Sequence, residues 1–81
     1  AAEAQKSLER RSNQAGWAKK SSQNSADLVH LLQGVKGLAK IEAELASLAV
    51  PDKLVQERDR LRNQVLEAKA TVMAKAMEVL K

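Results

Sequence analysis

The large apolar residues between Asp27 and Leu48 recur in steps of three and four: Leu28, Leu31, Leu32, Val35, Leu38, Ile41, Leu45 and Leu48. Leu31, Leu38 and Leu45 are seven apart, which places them on one side of an α-helix. The spacing predicts an amphipathic helix over residues 25–48. Gly34 and Gly37 interrupt it, each costing about 1 kcal/mol against alanine in a helix interior. Two explanations stand for them, close approach of another helix or a local kink.

A second strong helix is expected over residues 52–80, which contain no glycine or proline. Its core-facing set is Leu54, Leu61, Val65, Ala68, Val72, Ala76 and Val79, with Arg58 in the same register. Leu66, Met73 and Leu80 form an adjacent column of sevens. The apolar face is therefore broad, suited to packing against two neighbours. At 1.5 Å per residue this helix spans about 43 Å, long for so short a chain. Pro51 marks a link over 49–52, and Asp52 places a favourable charge at the new helix start. So short a link returns the second helix antiparallel beside the first.

The amino-terminal third differs. Residues 2–19 have good helix propensity but a weak apolar pattern, in which only Leu8 and Trp17 are large. Gly16 and Asn13 weaken it further, so a marginal helix is expected there. Ser21-Ser22-Gln23-Asn24-Ser25 reads as a polar link over 21–25. Within it Asn24 and Asp27 have the spacing of a capping box, with Ser25 as the neighbouring cap candidate.

Composition narrows the function classes. Of the 81 residues 44% are hydrophobic, but many of these are alanine, and the chain has no Phe, Tyr or Cys. That excludes a disulfide scaffold, a cysteine-based zinc site, a thiol enzyme and any surface built from several aromatics. No run approaches the 18 or more apolar residues of a membrane span, and no signal-peptide apolar region is visible near the start. A soluble chain is expected, with its compartment unspecified. The start at Ala1-Ala2-Glu3 fits a piece cut from a longer protein.

The net charge of +4 is mild. Arg10, Arg11, Lys19 and Lys20 make the first third basic, and Arg58 and Arg62 share a face of the last helix. These six are the candidate nucleic-acid contacts, although Glu57 and Asp59 interleave with the last two. Lys40/Glu44 and Lys53/Glu57 read as ordinary i,i+4 ion pairs.

No catalytic constellation is present. His30 is the single histidine, reads as a boundary or surface residue, and has Asp27 three positions before it. Glu42 and Glu44, like Glu57 and Asp59, are two apart and do not share a helix face. No nucleophile elbow, phosphate loop or dinucleotide-binding turn occurs. No cofactor, metal or small-molecule substrate is implied. Trp17 is expected as a core plug or, failing that, a protein contact, and membrane-surface binding lacks the bulky neighbours it requires.

The expected architecture is all-α: an antiparallel helical hairpin or three-helix bundle with coiled-coil-like packing, open to completion by oligomerisation. The expected function is a non-enzymatic protein–protein interaction or assembly module that pairs with itself or another helical subunit. Its core and interface set is Trp17, Leu31, Val35, Leu38, Ile41, Leu45, Leu61, Val65, Val72, Met73 and Val79. Two alternatives stand beside it: a small basic nucleic-acid-binding protein, and a structural fragment of a larger coiled-coil or spectrin-like protein.

Overall fold

Each amphipathic stretch becomes a helix because its apolar positions repeat with helical period, and each helix finds its partner through that stripe. The computed structural model describes residues 2–81. Helix α1 spans Ala2–Gln23, α2 spans Leu28–Ser47 and α3 spans Val55–Leu80, with a single 3₁₀ turn at Asp52–Leu54 before α3. The three pack together as an all-α bundle measuring 46 × 15 × 14 Å. At one end Leu8 shares a cleft with Leu61; at the other, the Lys75 ammonium donates to the Gln23 carbonyl. Helices α1 and α3 therefore run parallel, and α2 runs antiparallel to both.

The core is made chiefly by α2 and α3. Leu31, Leu38 and Leu45 are fully enclosed, and so are Val65 and Val72. Ile41, Leu61, Ala68 and Ala76 complete the seam, with Leu54 closing it at the turn. Burial of each large aliphatic side chain contributes about 1.5–3 kcal/mol, so this hairpin carries most of the apolar stabilisation. Helix α1 supplies much less. Its buried residues are Leu8, Ala15 and Ser22, seven apart, with Ala4 half-buried before them and Arg11 and Ala18 half-buried between them. The seam of α1 thus follows a heptad repeat in which only Leu8 is large and apolar.

Several local expectations are corrected. Helix α1 does not stop at residue 19 and the polar link is not 21–25, because α1 continues through Gln23. Tertiary packing overrides the serine preference for turns: Ser22 is buried against α2, and Ser21 Oγ lies 3.1 Å from His30 Nε2. Helix α2 begins at Leu28 rather than 25, with Asp27 as its N-cap; Asp27 Oδ1 accepts from the Val29 N–H at 3.0 Å. Asn24 caps nothing here, and Ser25 Oγ instead accepts from the Asp27 N–H at 3.1 Å. Since Asp27 is engaged at the cap, the partner of His30 is Ser21.

At the other end α2 stops at Ser47, and the Arg58 guanidinium donates to the Leu48 carbonyl at 3.0 Å. That bond satisfies one of the carbonyls a helix end leaves open and explains an arginine in the core register of α3. The i,i+4 pairs are also corrected. Glu44 lies 3.3 Å from Arg11 of α1, and neither Lys40/Glu44 nor Lys53/Glu57 forms an ion pair among the described residues. At Glu44 a cross-helix partner displaces the local one.

The two interrupting glycines separate. A Cβ on Gly34 would overlap Ser22 Oγ, so this position is a close approach of α1. Gly37 meets nothing within 4 Å, and neither glycine has a positive φ.

Candidate interaction surfaces

The expected core and interface residues divide into three groups. Leu31, Leu38, Ile41, Leu45, Leu61, Val65 and Val72 are buried together between α2 and α3, and Val35 is half-buried at the seam edge. Met73 and Val79 are each 40% exposed and do not belong to that core. Trp17 is 75% exposed, so it is no core plug. It stands on the opposite side of α1 from Leu8, Ala15 and Ser22, and the seam there is too narrow for an indole.

Met73 belongs to another column. Leu66, Ala70, Met73, Met77 and Leu80 follow one another at steps of four and three along α3, and all are exposed. By helical periodicity this column lies on the flank of α3 away from Gln64 and Ala68, which line a groove against α1. On α2, Leu32 and Val35 likewise lie on the flank away from Gly37 and Ile41, which face α1. The two columns therefore border the same open side of the α2–α3 hairpin. Lys69 and Glu42 bridge the hairpin at 2.7 Å on that side, neutralising each other. Sequence periodicity set Leu66, Met73 and Leu80 beside the core-facing column, and of that core-facing column only Val79 is exposed.

The six basic candidates do not come together. Arg10 and Arg11 line a groove between α1 and α2, whereas Lys19 lines the groove between α1 and α3 and Lys20 is exposed. Arg58 is engaged by the Leu48 carbonyl and by Asp59 at 3.4 Å, and Arg62 is exposed on α3. Lys40, which the sequence pattern assigned to a local ion pair, joins Arg10 and Arg11 instead.

That α1–α2 groove encloses about 420 Å³, with Ala18, Gly37 and Ile41 on its floor and Gln14 and Glu44 on its walls. Arg11 donates through Nη1 to the Ser7 carbonyl and to Ser7 Oγ. Its Nε lies 3.3 Å from Glu44 Oε1, but the N–H is not aimed at the carboxylate and has no hydrogen-bond acceptor. A third cleft, lined by Leu8, Glu9, Glu57 and Arg60 among others, encloses about 210 Å³. That is below the roughly 300–1,000 Å³ usual for small-molecule sites.

Among the described residues no group of three or more acidic or histidine side chains is placed to hold a metal ion. No described helix is long and apolar enough to cross a membrane. Comparison with family models, curated proteins and solved structures finds no match to this chain.

Proposed function

We propose that this chain is a non-enzymatic helical assembly module that pairs with a second copy of itself through the open side of the α2–α3 hairpin. The observation that carries the reading is the exposed column Leu66, Ala70, Met73, Met77 and Leu80, which repeats like a helix–helix seam while the core uses a different column. Leaving that column in water forgoes burial worth about 25 cal/mol per Å², and Leu32 and Val35 extend it across α2.

The spacing of the column favours a second copy in antiparallel orientation. Leu66 and Leu80 are exposed and lie equally far on either side of Met73. A two-fold axis near Met73 sets Leu66 of one copy against Leu80 of the other, twice, and Met73 against its own counterpart. Such a contact is self-complementary, as an isologous dimer requires.

Sedimentation equilibrium across the micromolar range tests the reading. The wild-type chain is expected to approach the mass of a dimer, and Met73→Glu to remain a monomer with unchanged helical circular dichroism. A wild-type chain that stays monomeric throughout that range overturns it.

A further inference from the structure

The α1–α2 groove has features that neither core packing nor the apolar face uses. Arg10, Arg11 and Lys40 converge on it from two helices, and its single acid, Glu44, is already held by Arg11. Arg10 and Lys40 have no ion-pair partner among the described residues. The Arg11 Nε–H is buried without an acceptor, so Arg11 faces the groove through the rest of its guanidinium. Gly37 lies in the middle of α2 and lines the groove, with nothing within 4 Å of where its side chain would be. The missing side chain keeps the groove floor open.

Trp17 does not line the groove itself but shares a side of α1 with Arg10 and Gln14, which do. The three are spaced by four and three residues. From Arg10 to Trp17 that side runs about 10 Å along the helix. The indole is exposed at its end, and the neighbouring positions Asn13, Gln14, Lys20 and Ser21 are all polar. A cationic groove ending in an exposed aromatic face suits a strand that carries phosphates on one side and unstacked rings on the other.

We propose that this groove binds single-stranded nucleic acid, with Arg10, Arg11 and Lys40 holding backbone phosphates and Trp17 stacking on a base. A duplex fits less well, because its base faces are covered by one another and leave the indole nothing to stack on. An anionic membrane fits less well too, because one indole among polar neighbours buries little apolar area. The groove and the open side of the hairpin lie on different flanks of α2, so this inference does not depend on the assembly reading.

The chain contains one tryptophan, so intrinsic fluorescence reports on the site directly. The experiment titrates the protein with a short thymidine homopolymer at low salt, beside the matching duplex and vesicles rich in anionic lipid. The homopolymer is expected to quench Trp17. Affinity should fall with salt at a log–log slope of about −1.5 to −2, as for two to three phosphates on a single strand.

Arg10→Gln with Lys40→Gln should weaken binding about tenfold or more, and Trp17→Ala, followed by anisotropy of a labelled strand, about fivefold or more. Gly37→Leu should block the groove while circular dichroism shows the helices intact, and Arg62→Gln, outside the groove, should bind like wild type. The proposal is overturned by no binding at low salt or binding that leaves Trp17 emission unchanged. Equal affinity after the Arg10/Lys40 change, or a response to duplex or vesicles alone, overturns it as well.

Discussion

Ser22 of α1 and Gly34 of α2 are a matched pair: the hydroxyl of one occupies the space that a side chain on the other would need. Ser22 Cβ stands 3.4 Å and Val72 Cγ1 3.7 Å from the position a Gly34 Cβ would take, so only the hydroxyl is in conflict. Gly34→Ala is therefore expected to couple to Ser22→Ala. In the serine background the new methyl forces the buried hydroxyl aside; in the alanine background it gains helix propensity and makes ordinary contact. A double-mutant cycle by urea unfolding should give a favourable coupling of about 1–2 kcal/mol, and additive single changes would contradict the contact.

Gly37 provides the contrast on the same helix. With no neighbour to strike and no positive φ, Gly37→Ala should raise stability by about 0.5–1 kcal/mol through propensity alone. An increase in the urea midpoint with an unchanged slope is the expected result; a decrease would mean that the residue is packed after all.

The start of α2 depends on one carboxylate. Asp27→Ala removes the acceptor for the Val29 N–H and should cost about 1 kcal/mol, whereas Asn24→Ala should change stability by no more than a few tenths. Thermal unfolding of the two variants side by side distinguishes the true cap from the one that sequence spacing favours.

Trp17 should behave as a surface indole. Its emission maximum is expected near that of free tryptophan in water, with full access to a soluble quencher, and Trp17→Ala should alter stability by less than about 0.5 kcal/mol. A blue-shifted, protected tryptophan in the monomer would place it in a core instead.

Helix α1 should open before the rest. Its buried set of Leu8, Ala15 and Ser22 offers one large apolar side chain, against three leucines and an isoleucine on α2 alone. Native-state hydrogen exchange is expected to release the amides of residues 5–21 at a lower free energy than those of 31–45 and 61–76. Uniform protection across all three helices would show that α1 is bound as tightly as the hairpin.

The all-α class, the antiparallel α2–α3 hairpin and the column that runs from Leu31 to Leu45 are legible in the amino-acid sequence alone. Those follow from the period of large apolar residues and from Pro51, both local properties of the chain. The extent of α1 was not legible, because its seam is written in alanine, serine and arginine, residues that carry no hydrophobic signal. Only the fold could decide that Ser22 is inside and Trp17 outside, since the choice depends on the narrow gap that Gly34 leaves beside α2. On α3 the column read as core-facing is the one that is covered, and only its last member, Val79, lies outside. Tertiary structure also gave Glu44 to Arg11 rather than to Lys40, because a cation from another helix reached the carboxylate, and that exchange left Lys40 facing the groove beside Arg10.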